Sequence, residues 1–176
     1  MLDLALRLAL DDAHLLVPVA AGRTWYPQRF TAPVAENEPW LSHALEACDA
    51  AVERLAGTGW PAERIVLAGF SQGGCLTLEY AARHPRRYGG VAALTGGLIG
   101  EDSELTRPHG LAGTPVLITT AEGDEWVPRG RTEESTRILE AGGADVDLRV
   151  FEPGPHAIRS EEVDALRALI RTASGT

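Results

Sequence analysis

Residues 64–81 read RIVLAGFSQGGCLTLEYA. A short apolar, partly β-branched run at 65–69 has the character of a buried strand. Gly69-Phe70-Ser71-Gln72-Gly73 comes next, then a helix-forming run that stops at Pro85. Gly-x-Ser-x-Gly between a strand and a helix is the spacing of a nucleophile elbow, a strained turn that leaves the serine hydroxyl exposed. On this reading Gly69 and Gly73 are both steric requirements, because a side chain at either would meet neighbouring backbone. The helix start behind Ser71 offers free N–H groups and partial positive charge to a developing oxyanion. The plain alternative is a glycine-rich turn without chemistry, since the pattern also arises by chance.

A serine nucleophile needs a base within hydrogen-bond reach, and the base needs a carboxylate to hold its tautomer. The chain has five histidines. His14 starts an apolar run, His43 lies on a helix surface, His84 precedes Pro85, and His109 sits in a polar loop with no strand before it. Only His156 follows a strand, after the tight Pro153-Gly154-Pro155 turn. Among the acids, Asp124 follows a strand and is closed in by Trp126, Val127 and Pro128. Asp102 and Asp145 lie in loops away from a strand's carboxyl end, and Asp147 lies inside a strand. A solvated loop histidine and a turn-capping aspartate are the alternatives at these two positions.

The elements that must position these groups follow from periodicity. Residues 2–11 read as a short amphipathic helix with Leu2, Leu6, Ala9 and Leu10 on one face. Residues 14–20 (HLLVPVA) read as a strand with Pro18 near its end. Residues 21–36 form a long loop carrying Trp25, Tyr26 and Phe30, either packing anchors or a substrate wall. Asn37 can cap the next helix, whose Leu41, Ala44, Leu45, Cys48, Ala51, Val52 and Leu55 keep helical spacing up to Gly57. Three more strands are expected at 90–95, 115–120 and 146–151, with a helix at 132–141. Ser160 can cap the last helix, with Glu161 and Glu162 suiting its dipole and Val163, Leu166, Leu169 and Ile170 facing inward. Alternating strands and helices imply an α/β fold, a mostly parallel sheet of about five strands flanked by helices, with ligands at the strands' carboxyl ends.

Composition bounds the partners. The 176 residues suit one domain, 1–176, and the net charge of −9 without a Lys/Arg run argues against nucleic acid and anionic membranes. Two cysteines, Cys48 and Cys75, lack metal-ligand spacing and read as free, mostly buried thiols of a reducing compartment. Asp3, Arg7, Asp11 and Asp12 interrupt the apolar N-terminal stretch, so neither a signal peptide nor a membrane span is expected, and the location expected is cytoplasmic. No metal or organic cofactor is implied.

The segments GFSQGG (69–74), TGGL (95–98), DEWVP (124–128) and PGPHAI (153–158) resemble the phospholipase/carboxylesterase branch of the α/β-hydrolases, which includes the acyl-protein thioesterases. The similarity extends over nearly the whole chain, and the order Ser, Asp, His is that of the α/β-hydrolases. The resemblance implies Ser71 as nucleophile, His156 as base, Asp124 as its orienting acid, and the N–H of Gln72 as one oxyanion donor. It also implies an acyl site walled by Trp25, Leu98, Trp126 and Val127, and small-molecule ester substrates. Relatives open with strands ending in a His-Gly loop that supplies a second oxyanion N–H. Here the only His-Gly is His109-Gly110, in another part of the fold. The expected protein is therefore an N-terminally shortened short-chain carboxylesterase. A non-catalytic binding or assembly subunit is the alternative. The gap left beside residues 65–69 can be closed by direct pairing with 14–20, which is the favoured response, or by a strand of a second copy in a homodimer. A third reading is an incomplete gene product. Direct pairing would bring Gly22 or Arg23 toward Ser71 as a substitute donor.

Overall fold

The computed structural model describes residues 2–10 and 13–175. Its helices are α1 (Leu2–Leu8), α2 (Val34–Asn37), α3 (Trp40–Gly57), α4 (Gln72–Arg83), α5 (Arg129–Ala141) and α6 (Ser160–Ser174). Four strands, β1 (Val66–Phe70), β2 (Gly90–Leu94), β3 (Pro115–Ala121) and β4 (Asp145–Phe151), form one parallel sheet in the order β1-β2-β3-β4.

Laying the strands down in one direction with a fixed crossover hand puts the connecting helices on the same face. Accordingly α3, α4 and α5 pack on one side, over Val91, Ala93, Val116 and Ile118. Alternate strand residues Ala92, Leu94 and Leu117 point to the other side, where α1 and α6 cover them. β2 is buried along its whole length, which explains its run of small and apolar residues. β4 is an edge strand and alternates exposed Asp145, Asp147 and Arg149 with half-buried Val146 and Leu148.

Residues 14–20 run without a ladder partner, so the sheet has four strands rather than about five, and β1 is its other edge. Pro18 has no N–H to donate, and a cavity of about 180 Å³ is lined by Leu15 and Val17 from this segment and by Val66 and Ala68 from β1. The favoured direct pairing therefore does not occur. His14 instead packs its ring against Trp60, with centroids 5.5 Å apart.

The N-terminal helix also differs from expectation. It ends at Leu8, Asp11 lies outside the described residues, and its buried face carries Leu4 and Leu8. Leu6, expected inside, is 80% exposed, whereas Leu8 is 4% exposed. The face is chosen by α6: Arg167 donates to the carbonyls of Leu8 at 3.1 Å and Arg7 at 3.0 Å, and Arg7 donates to the Ile158 carbonyl at 3.1 Å. These bonds satisfy two orphan carbonyls at the end of α1 and set its rotation.

Two expected caps take other roles. Asn37 ends α2 and is fully buried, its amide accepting from the N–H of Gln28 at 2.8 Å and donating to the carbonyl of Arg29 at 3.2 Å. Ser160 is the first residue of α6, and the preceding Arg159 N–H is met by the Glu162 carboxylate at 2.7 Å.

Leu6→Glu should leave the unfolding free energy within about 0.5 kcal/mol of wild type. Leu8→Ala should cost about 2 kcal/mol or more. Urea unfolding of both variants checks the rotation of α1.

Candidate active site

β1 delivers the chain to Ser71, and α4 leaves from Gln72. Between them Ser71 adopts φ 54° and ψ −120°, outside the regions a side chain prefers. The turn is pinned by the Ser71 N–H, which donates to the Leu94 carbonyl at 2.9 Å, and by the Cys75 N–H on the Ser71 carbonyl at 2.9 Å. Gly69 is obligatory here, since a Cβ would lie 2.1 Å from the Gly73 carbonyl oxygen and 2.3 Å from its carbon. Gly73 is not: a Cβ there would have no heavy atom within 4 Å. Only one of the two motif glycines is therefore sterically required, because the crowding comes from Gly73's backbone and falls on Gly69.

His156 lies with Nε2 at 2.8 Å from Ser71 Oγ and Nδ1 at 2.8 Å from Asp124 Oδ2. An ionised carboxylate only accepts, so Nδ1 carries the proton and Nε2 presents its lone pair to the serine hydroxyl. The ring is packed by Phe70, 5.1 Å away, and Trp126, 6.2 Å away. Asp124 Oδ1 accepts from the N–H groups of Trp126 and Val127, both at 2.8 Å, which leaves Oδ2 for the imidazole. Burial is the largest influence on this carboxyl and opposes its ionisation. The hydrogen bonds from His156, Val127 and Trp126 together outweigh it, and the carboxyl is held below its ordinary value of 3.8.

The loop after residue 20 is tied to this centre. The Gln72 side chain accepts from the Trp25 N–H at 2.8 Å and donates to the Tyr26 carbonyl at 2.8 Å. Arg29 donates to the Glu125 carbonyl at 2.7 Å, and its guanidinium lies 5.9 Å from the Trp126 ring centre. The loop thus meets both the elbow and the acid turn, with Asn37 bracing it from behind. It reaches the elbow through residues 24–26 rather than through Gly22 or Arg23, and the Arg23 N–H is bonded to Ala20 at 3.2 Å. With its side chain so occupied, Gln72 opens α4, and its backbone N–H is among those a helix start leaves without an intrahelical acceptor. Sequence reading missed Asn37 and the Gln72 side chain as loop anchors, because an Asn beside a helix start has the same local signature as a cap.

Of the four expected wall residues, Trp126 is 62% exposed beside His156 and Trp25 is half-buried against Gln72. Leu98 is 0% exposed and Val127 is also buried, so both belong to the core. Cys75 is buried behind the elbow, accepts from the Gly97 N–H at 3.4 Å, and has its thiol pushed up to about 12 by burial. Among the described residues no group of three or more His, Cys, Asp or Glu is placed to hold a metal ion. Nor, among them, is any helix long and apolar enough to cross a membrane.

The phospholipase/carboxylesterase family model matches residues 13–174. The chain belongs to that family. A phospholipase/carboxylesterase structure from Dyadobacter fermentans DSM 18053 superposes with a TM-score of 0.81 at 42% identity, covering 86% of this chain and 73% of that one. Acyl-protein thioesterase 1 of Gibberella zeae is 30% identical over 123 residues, 68% of this chain and 52% of the relative. Acyl-protein thioesterase 1 of Eremothecium gossypii is 27% identical over 177 residues, 93% of this chain and 75% of the relative. This phospholipase/carboxylesterase family member thus spans about half of the first relative's length and three quarters of the second's. Its four-stranded parallel sheet with flanking helices is an α/β-hydrolase fold.

Gly69→Ala should unfold the protein or cost more than about 4 kcal/mol. Gly73→Ala should be neutral or stabilising by up to about 1 kcal/mol, since alanine is the better helix former. Thermal melts of the two variants separate the glycines. Asp124 supplies a pH test. A carboxyl held below its ordinary value contributes stability that is fully present above 3.8 and lost as pH falls through the lowered value. The stability difference between wild type and Asp124→Asn should therefore be constant near neutrality and shrink below about pH 4, as read by urea unfolding at graded pH.

Proposed function

We propose that this chain is a serine carboxylesterase that hydrolyses short-chain esters through an acyl-enzyme. The observation that carries this reading is the pair of 2.8 Å contacts placing one imidazole between the Ser71 hydroxyl and the Asp124 carboxylate. In the first half-reaction His156 Nε2 takes the Ser71 proton as Oγ attacks the ester carbonyl. Asp124 holds the imidazole's tautomer and stabilises the imidazolium that forms. The carbonyl oxygen becomes an oxyanion facing the Gln72 N–H at the positive end of α4. His156 then gives its proton to the leaving alcohol, and Ser71 carries the acyl group. Water, deprotonated by His156, attacks the acyl-enzyme, and the carboxylic acid leaves as Ser71 regains its proton.

Trp126 is the exposed apolar surface beside this centre, with Trp25 held at the elbow through its backbone, and the closure of Leu98 and Val127 into the core supports small acyl groups. Thioesters and lysolipids are alternative acyl donors for the same chemistry. Net negative charge and two free cysteines support a soluble, cytoplasmic setting. If the Gln72 N–H is unaided by a second donor, turnover should be roughly 10²–10³-fold below that of a two-donor site.

A second reading, a non-catalytic binding subunit, is favoured by the unpaired outer edge of β1 and the cavity beside it. A fluorophosphonate probe separates the two, because only an activated serine is labelled. The esterase reading expects labelling of wild type and none of Ser71→Ala. It also expects a loss of roughly 10⁴ in turnover for Asp124→Asn, and faster hydrolysis of p-nitrophenyl butyrate than of the palmitate. An unlabelled wild-type protein would overturn the esterase reading.

A further inference from the structure

Glu162 sits on α6 and is 1% exposed, a carboxylate taken almost wholly out of water. Such a group persists only where donors replace its hydration, and here each oxygen has one. Oε2 accepts the Arg159 N–H at 2.7 Å, and Oε1 accepts the hydroxyl of Thr119, which is fully buried in β3. The Thr119 hydroxyl has a single proton, given to Glu162, and its lone pair accepts the Thr95 N–H at 2.8 Å. The Thr95 N–H belongs to the same peptide group as the Leu94 carbonyl, and that carbonyl accepts the Ser71 N–H at 2.9 Å. Thr95 is itself held at a positive φ of 54°.

These bonds form one directed chain. It starts at the Ser71 N–H, crosses the Leu94–Thr95 peptide, passes through Thr119 and ends on the Glu162 carboxylate. From the other side the same carboxylate receives the N–H of Arg159, three residues beyond His156. Every donor in the chain points toward the negative charge, so each bond polarises the next. We propose that Glu162 is a positioning residue that fixes the spacing of Ser71 and His156 through the sheet, without touching substrate or either reacting side chain. This rests on the serine-esterase reading above, and it adds a positioning residue behind Ser71, His156, Asp124 and Gln72.

Glutamine has the same shape but cannot do this work. With its oxygen toward Arg159, its NH₂ meets Thr119, whose hydroxyl proton is then left buried without an acceptor. With its oxygen toward Thr119, NH₂ and the Arg159 N–H oppose each other. Either way the His156 loop shifts, and a displacement of about 1 Å at a reacting pair costs about 10²-fold.

The test uses the full chain with p-nitrophenyl butyrate and ¹⁵N-histidine NMR. Glu162→Gln should lower kcat about 10–100-fold with KM within about threefold of wild type. It should also weaken or shift the His156 Nδ1–H signal that reports the Asp124 bond. Thr119→Val, which exchanges only a hydroxyl for a methyl, should do the same, and Thr119→Ser should recover most of the loss. The double variant should be no slower than the worse single one, because one chain is broken once. Glu79→Gln, a buried carboxylate on α4, is the stability control and should lower the melting temperature without moving the His156 signal. If Glu162→Gln fails to fold, Thr119→Val and its serine rescue decide the matter. A wild-type His156 signal and kcat in the Glu162 or Thr119 variants, or losses that multiply in the double, would overturn the proposal. If Ser71→Ala retains hydrolysis, the esterase reading fails by itself, and the His156 signal still shows whether Glu162 positions that loop.

Discussion

Ser71 is held in a backbone conformation that residues with a side chain avoid, and the surrounding strands and turns are what make that conformation stable. A positive φ at a non-glycine residue costs of order 1–2 kcal/mol and persists only where its surroundings over-determine it. Three constraints do so here: the ladder bond from Ser71 to Leu94, the first turn of α4 closing on the Ser71 carbonyl, and the absence of a side chain at Gly69. Because β2 supplies the Leu94 carbonyl, the strain is borne by the most deeply buried strand of the sheet.

The strained turn is useful only if the other groups come to it, and each arrives at the carboxyl end of a different strand. β1 brings Ser71, β3 is followed by Asp124, and β4 is followed by His156. A parallel sheet places all of these ends on one edge, so residues separated by 85 and 32 positions meet within hydrogen-bond distance. The loop after residue 20 closes over the same edge. Beyond a single 3-10 turn at Ala21–Arg23 it is irregular, and polar side chains hold it: Gln72 from the elbow, Arg29 to the acid turn, and Asn37 from inside.

On the opposite side the sheet ends differently. β4 is a charged, half-exposed edge of the kind that discourages pairing. β1 is an edge without such protection, flanked by an apolar cavity and by residues 14–17 that lie across it without a ladder. The site needs only that β1 be held from the β2 side, and it is, through five consecutive register pairs from Val66–Gly90 to Phe70–Leu94. The open edge and the hydrogen bonds joining Ser71, His156 and Asp124 can therefore coexist.

The strand-turn-helix around Ser71, the chain order of Ser71, Asp124 and His156, and the helix at Trp40–Gly57 were all determined by the sequence itself, because each depends on local spacing. Turn chemistry, glycine content and 3.6-residue periodicity are properties of neighbours along the chain. What the tertiary structure alone decided are matters of distant partners. Residues 14–20 have the composition of a strand, yet a strand exists only where another offers it a ladder. Leu6 and Leu8 are equally apolar, and Arg167 on α6 selects which faces inward. Leu98 and Val127 were expected on a substrate wall and lie in the core, since whether an apolar residue lines a surface depends on what packs over it. Asn37 was read as a helix cap and takes loop partners instead, while Glu162 keeps its helix-end role toward Arg159 and gains Thr119 as a second partner, because a polar group removed from water takes whichever donor or acceptor the fold brings within reach.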